Sequence, residues 1–245
     1  MTPVQPPSVV LVTPVWNDSA RLAVFGAELA EALAAEDLPV RWIIADDGSG
    51  AEEVARLEEL AENFRAVFPH VFVLPADAHR GKGGVIRAAW DSAPDADWYA
   101  FADADGAVCA RDLLHLVHMA VGEECSVIAI RKTTAETEII ESPGRSLTHH
   151  VFLFAADFLL GLRSADTQCG AKVIKGADFR AIRPSLREDG YVFDAEWLFH
   201  LQHRGLPWME VPVSWTEKPG AKVKPVRDGI RMFIALWRIR RRGGR

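Results

Sequence analysis

Two carboxylates separated by one residue, Asp103-Ala104-Asp105, follow the apolar string Trp98-Tyr99-Ala100-Phe101-Ala102. At the end of an extended run, side chains at i and i+2 face the same side, so this pair can share one hard divalent cation whose shell is completed by water and a diphosphate. Such a cation, Mg2+ or Mn2+, neutralises a departing diphosphate. An Asp-x-Asp string alone also reads as a solvated turn, and the strand in front of it is what favours the metal. In Asp46-Asp47-Gly48-Ser49 the polar side chains can hydrogen-bond a base or ribose, and Gly48 lets the backbone come close. The same string also reads as an Asx turn capping the next helix. His79-Arg80-Gly81-Lys82-Gly83-Gly84 precedes a helical stretch, where Lys82, backbone amides and the helix N-terminus can face phosphate. It lacks the spacing of a P-loop.

The elements that must position these residues alternate regularly. An apolar run at residues 9–12 leads through a turn with Pro14 and Asn17 to an Ala/Leu/Glu-rich stretch at 19–35, which reads as strand, loop and helix. Strand signals recur at 40–45, 71–74 and 98–102, with helical stretches at 51–68 and 84–90 between them. Such alternation predicts a parallel sheet with helices on both faces. Ligands of open α/β sheets gather beyond the carboxyl ends of the strands, where one site can use all three strings. A fifth strand at 127–130 leads to Arg131-Lys132, and the polar residues 133–144 read as a mobile loop. Beyond come an apolar helix, a loop around 166–170, a strand at 172–174, a helix near 194–204 and a strand at 208–214.

A chain of 245 residues, 49% hydrophobic, buries one substantial core and leaves little for a second large domain. Its formal charge of -6 argues against a general electrostatic grip on nucleic acid. Cys109, Cys125 and Cys169 are too few and too irregularly spaced for a disulfide framework, and read as thiols in a reducing compartment. No basic n-region precedes the short apolar run at 9–12, and the apolar stretch 151–162 is broken by Asp157 and falls short of the roughly 20 residues that span a bilayer. The expectation is a soluble or peripheral protein.

Taken in order, Val12-Thr13-Pro14-Val15-Trp16-Asn17-Asp18, Asp46-Asp47-Gly48-Ser49, Arg80-Gly81-Lys82-Gly83, Asp103-Ala104-Asp105-Gly106 and Asp166-Thr167-Gln168-Cys169-Gly170 resemble family 2 glycosyltransferases of the dolichyl-phosphate glucosyltransferase and mannosyltransferase type. The Asp-Thr-Gln-Cys-Gly string, with Phe193-Asp194-Ala195-Glu196 and Val211-Pro212-Val213-Ser214-Trp215, looks closest to the β-glucosyltransferase branch, and the resemblance spans residues 9–224. It implies a single Rossmann-like GT-A domain of α/β class with a mostly parallel central sheet over residues 1–226, followed by a basic amphipathic helix in the tail, 227–245. It also implies an inverting, metal-dependent enzyme that moves a hexose, glucose from UDP-glucose, to a polyprenyl or dolichyl phosphate. By the same resemblance Pro14, Asp46 and Asp47 hold the nucleoside, beside the donor contacts read above for Gly48 and Lys82. Asp103 and Asp105 match the metal and diphosphate site, Asp105 and Asp166 the catalytic positions, and Arg131 and Arg145 the arginines that receive the lipid phosphate. The chain departs from the usual pattern at Trp16, at Asp18 and at Ala129-Ile130 ahead of Arg131.

The chemistry of the acceptor agrees. A phosphate oxygen is already anionic near neutral pH and needs positioning and charge compensation more than a strong base. Arginines supply both through bidentate hydrogen bonds, while Asp166 can orient the nucleophile, take a residual proton or simply cap its loop. A lipid acceptor brings the enzyme to a membrane. Ile230, Phe233, Ile234 and Trp237 recur at helical spacing, with Arg231, Arg238, Arg240, Arg241 and Arg242 around them. This suits a helix lying on an anionic bilayer, at the cytoplasmic face, and equally a helix packed on the domain. His115, His118, His149 and His150 read as packing, as do Trp197, Trp208 and Trp215. Three other functions compete: a GDP-mannose enzyme of the same fold, a non-catalytic module that binds sugar nucleotide or lipid phosphate, and a nucleotidyltransferase. The last would want its glycine-rich loop near the first strand.

Overall fold

The computed structural model describes residues 8–220 and 225–243, apart from the side chains at 145–148, 225 and 226. Alternating strands and helices run as β1 (Val9–Val15), α1 (Ser19–Ala34), β2 (Val40–Asp46), α2 (Ala51–Arg65), β3 (Val71–Pro75), α3 (Lys82–Asp91), β4 (Trp98–Ala102), α4 (Ala110–Glu123) and β5 (Ser126–Arg131). Then follow β6 (Ile139–Ile140), α5 (Pro143–Leu160), β7 (Ala171–Lys175), α6 (Gly176–Ile182), α7 (Phe193–His203), β8 (Trp208–Val213), β9 (Trp215–Thr216) and α8 (Pro225–Gly243). Seven strands form one sheet in the order β3-β2-β1-β4-β7-β5-β8.

Successive side chains of a strand point to opposite faces, and the two halves of the core follow that period. Val9, Leu11, Trp42, Ile44, Trp98 and Ala100 face α1, α2 and α4, whereas Val10, Val12, Ile43, Tyr99 and Phe101 face α3, α6 and α7. Strands buried on both faces read as continuous apolar runs, as β1, β2, β4 and β5 do, and all seven strands of this sheet were expected from the sequence. Helices α4 and α6 were not read from it, although α4 buries Leu113, Leu116 and Val117.

Every pairing in the sheet is parallel except those of β7, which runs antiparallel to both β4 and β5. Hydrophobic pattern carries no strand direction, so the reversal was not legible. Its consequence is positional: β7 begins at the edge where β4 and β5 end, so the residues leading into it, 166–170, arrive beside the ends of the parallel strands. The loop expected to be mobile at 133–144 is partly ordered. Ile139 and Ile140 pair in parallel with Trp215 and Thr216, and α5 starts at Pro143.

Helix α8 packs on the domain along one stripe, with Met232, Ala235, Leu236 and Ile239 buried in the core shared with α5 and α7. The stripe singled out by helical spacing is the other one: Ile230, Phe233, Ile234 and Trp237 stay about half exposed.

Candidate functional site

At the end of β2 the two aspartates are bound to their own chain. Asp46 accepts hydrogen bonds from the amides of Gly48 and Ser49, each at 3.1 Å, which is the Asx-turn alternative. Gly48 turns the chain with φ of 72°. Asp47 accepts the amides of Arg80 at 2.7 Å and Gly81 at 2.9 Å, and pairs with His79 Nδ1 at 2.9 Å. Burial pushes the Asp47 carboxyl up, against the opposing pull of those amides. The carboxylate thus staples the turn at 79–81 to the sheet edge. Trp16, just past β1, stacks on His79 with ring centroids 4.4 Å apart, and Pro14 lies in β1 opposite Ala45.

That turn delivers Lys82, the first residue of α3, to Asp103, with Nζ 2.6 Å from Oδ1. Burial lowers the Lys82 pKa, but Asp103 and Asp194 outweigh it and hold the ammonium charged. Asp105 accepts the Ala107 amide at 3.0 Å and meets Arg21 Nη1 at 3.4 Å. Its pKa is raised by burial and by Asp103. Among the described residues no three His, Cys, Asp or Glu side chains gather as a metal cage. A pair of carboxylates suits a cation that takes its other ligands from water and a diphosphate, and Asp103 with Asp105 fits that demand.

Asp103 is also the link to the far side of the site. Its amide donates to the Gly170 carbonyl at 2.9 Å, and a Cβ on Gly170 would come within 2.3 Å of Oδ2 of Asp103. Only glycine permits that approach, so the Asp-Thr-Gln-Cys-Gly string is shaped around the Asp-x-Asp pair. At its other end Asp166, 1% exposed, accepts from the amides of Gln168 at 2.8 Å and Cys169 at 3.1 Å. It is gripped by Arg131 through Nε at 2.7 Å and Nη2 at 3.0 Å. Burial would raise this carboxyl, but Arg131 dominates and holds it down to about 2. Both carboxylate oxygens are engaged by Arg131, and the geometry sets Asp166 to orient that guanidinium.

Arg131, at the end of β5, also donates through Nη2 to His149 Nδ1 at 2.8 Å and lies over the Trp215 ring at 5.3 Å. Because a guanidinium only donates, His149 must accept and is neutral there, which agrees with a pKa lowered by burial and by Arg131. Arg145 lies on the first turn of α5, and its side chain is outside the described residues.

The structure therefore brings Asp47, Lys82, Asp103, Asp105, Asp166 and Arg131 into one connected edge. Sequence reasoning missed Arg21, His149 and the Arg131 contact of Trp215, having assigned the histidine and the tryptophan to packing. Trp215 does both, being 4% exposed. Cys169 is buried, and burial pushes its thiol up to about 12. All three cysteines are free.

The sequence profile of glycosyl transferase family 2 matches residues 10–182. The dolichyl-phosphate beta-glucosyltransferase of Saccharomyces cerevisiae is 29% identical over 94% of this chain and 73% of its own length. The protein of the same name from Drosophila melanogaster is 30% identical over 94% and 76%, and that from Homo sapiens 28% over 95% and 74%. Among solved structures, glucosyl-3-phosphoglycerate synthase from Mycobacterium tuberculosis, in complex with Mn2+, UDP and glucosyl-3-phosphoglycerate, aligns with a TM-score of 0.68 at 16% identity, covering 96% of this chain and 80% of that one. Mannosyltransferase PcManGT from Pyrobaculum calidifontis, in complex with GDP-Man and Mn2+, aligns at 0.60 with 15% identity, covering 97% and 71%. At these identities the likeness is one of fold, and it is the GT-A fold expected from the sequence.

Proposed function

Because the chain belongs to glycosyl transferase family 2 and is a glycosyltransferase, we propose that it transfers glucose from UDP-glucose to a polyprenyl or dolichyl phosphate. The observation that carries this reading is the position of Asp103, whose side chain meets Lys82 of the donor turn while its amide meets Gly170 of the loop that ends in the Asp166–Arg131 pair. One residue thus joins a cationic cradle for diphosphate to a guanidinium placed for an anion.

In the proposed reaction an oxygen of the acceptor phosphate attacks the anomeric carbon as the bond from that carbon to the UDP oxygen breaks, with inversion, and the electron pair leaves on the diphosphate. Lys82 meets the growing charge on the leaving group. Asp103 and Asp105 would hold Mg2+ or Mn2+, which when bound supplies the rest of that compensation. Arg131, held in place by Asp166, His149 and Trp215, orients the acceptor phosphate, which needs no base. Dolichyl-phosphate acceptors are named for the relatives that align along nearly the whole chain, and UDP for one of the structures of like fold.

A lipid-linked acceptor calls for a membrane surface. Among the described residues no helix is long and apolar enough to cross a membrane. Helix α5, which carries His149, turns Val151, Phe154 and Phe158 outward, the last two 72% and 75% exposed. It packs against α8, whose Ile230, Phe233, Ile234 and Trp237 are exposed as well. Two adjoining helices with outward aromatic stripes and flanking arginines suit an interfacial seat, and the reading places the enzyme peripherally at the cytoplasmic face.

The test is incubation of the purified protein with Mn2+, polyprenyl phosphate and labelled UDP-glucose or GDP-mannose. Label is expected in the organic phase from UDP-glucose alone. Label from GDP-mannose alone would replace the donor, and label from neither would sink transfer to a lipid.

A further inference from the structure

Between α6 and α7, residues 186–192 take no part in the reaction above, yet they are wedged between α8 and the donor turn. Glu188, 5% exposed, spends its carboxylate on α8: Arg238 donates through Nη2 at 2.6 Å and Nε at 3.2 Å, and Arg242 through Nη2. Beside it Glu196, 1% exposed, accepts the amides of Arg187 at 2.8 Å and Glu188 at 2.7 Å, with Arg242 Nη2 3.7 Å from its other oxygen. Two carboxylates this deep and this close are sustained by the two guanidinium groups of α8. Remove the helix and both carboxylates lose those counter-charges.

The main chain of the same residues holds the donor turn. The Glu188 carbonyl accepts Arg87 Nη1 of α3 at 2.9 Å, the Asp189 carbonyl accepts the Gly84 amide at 3.1 Å, and the Asp189 carboxylate pairs with Arg87. Asp189 lies so close to the turn that a Cβ on Gly81 would come within 2.6 Å of its carbonyl oxygen. Lys82 sits between Gly81 and Gly84 in this embrace. Burial raises the pKa of Tyr191, in the same segment, and the charges of Lys82 and of Asp228 on α8 both act on it.

We propose that Glu188 is a positioning residue through which the seating of α8 on the domain sets the donor-binding turn at residues 80–84. Side chain toward the helix and backbone toward the turn, it couples the two. When α8 lifts, Glu188 and Glu196 lose their counter-charges, the 186–192 segment relaxes, and Lys82 loses its register on Asp103. By reciprocity of coupled equilibria, donor bound at the turn also holds α8 down. The kinetic arm of the test rests on the donor proposed above; the exchange arm does not.

The experiment uses the full chain and three variants: Glu188→Gln, the double variant Arg238→Ala/Arg242→Ala, whose side chains are partly exposed so that folding is retained, and the charge-keeping Arg238→Lys/Arg242→Lys. Amide hydrogen exchange is expected to quicken about tenfold in both α8 and residues 80–90 of the first two variants, with β1 and α4 unchanged and most protection restored in the lysine pair. The kcat/KM for UDP-glucose should fall about fivefold or more in the first two variants and largely recover in the lysine pair. Faster exchange in α8 with wild-type protection at 80–90 would overturn the coupling. So would a uniform quickening across the sheet, which marks a structural role only. If the wild type turns over no UDP-glucose, the donor assignment fails and the exchange pattern still decides the coupling.

Discussion

The proposed donor edge and the proposed acceptor edge of this site are built differently. On the donor side, carboxylates bond to backbone amides of nearby turns: Asp46 to residues 48 and 49, Asp47 to 80 and 81, and Asp105 to 107. On the acceptor side, Arg131 of β5, His149 of α5, Asp166 of a loop and Trp215 of β9 meet through their side chains. The first edge leans on main-chain amides, local for Asp46 and Asp105 but 33 and 34 residues away for Asp47; the second rests on side chains brought together from four elements. The first edge is therefore expected to tolerate loss of a charge better than the second.

The largest expected effect falls on the proposed cation pair, Asp103 and Asp105. Asp105→Ala should cost roughly 10^3-fold or more in kcat with the fold intact, since it removes half of the cation pair but no core contact. Turnover of labelled donor beside an unchanged thermal transition would show it; near-native kcat would remove Asp105 from the chemistry.

The same substitution on the two sides gives the sharpest contrast. Asp166→Asn leaves the buried Arg131 guanidinium without its counter-charge and should lose about 3–5 kcal/mol of stability. Asp47→Asn keeps an oxygen that accepts from the amides of Arg80 and Gly81, and should lose only about 1 kcal/mol. Denaturant unfolding of both variants checks this, and equal losses would erase the distinction. The ionisation of Asp166 carries the same sign. Its folded pKa lies below the ordinary carboxylate value, so its contribution is complete above about pH 4. That contribution fades as pH falls toward about 2.

Legibility in the sequence follows the same division. The apolar runs of β1, β2, β4 and β5 and the strings at 46–49, 80–83 and 103–105 could be read because each is contiguous, although the bonds from Asp47 to residues 80 and 81 could not. Asp166 and Arg131 could be named, but not as partners: 35 residues separate them, and the reversal of β7 that joins them leaves no trace in hydrophobic period. His149 looked like packing because a histidine on an apolar helix carries no sign of what it will face. The C-terminal stripe was legible as amphipathic, but not which face the core would take. Met232, Ala235, Leu236 and Ile239 went in, leaving the bulkier Phe233 and Trp237 outside.

His149 gives a smaller, pH-dependent effect. Arg131 faces it through Nη2, Asp166 stands 3.9 Å from its Nε2, and His150 and Gln168 adjoin it. Its folded pKa is lowered, so the unfolded chain binds the proton more readily. Stability is then full above the ordinary histidine value near 6.5 and falls below it, by up to about 1.4 kcal/mol per pH unit. In His149→Gln that slope between pH 6.5 and 5 should become shallower, leaving the share of His200, whose pKa burial lowers to about 4. A slope unchanged from wild type would mean that the Arg131 contact does not hold the ring neutral.

The smallest effect on stability should come from the outermost part of the acceptor side, where the surface continues into the proposed lipid. Phe154 stacks on Phe158 with centroids 6.2 Å apart, both facing outward on α5, and Phe233 is 53% exposed on α8. Neither Phe154→Ser nor Phe233→Ser removes core packing, so each should shift unfolding by no more than about 0.5 kcal/mol. Burial of such a ring in a bilayer interface, by contrast, is worth roughly 1.5–3 kcal/mol, so the same changes should weaken sedimentation with anionic vesicles about tenfold or more. Donor-side activity on a short, water-soluble phosphate acceptor should stay at the wild-type level in both. Vesicle binding that survives both substitutions would place the membrane elsewhere on the molecule and leave these aromatic stripes awaiting a different cover.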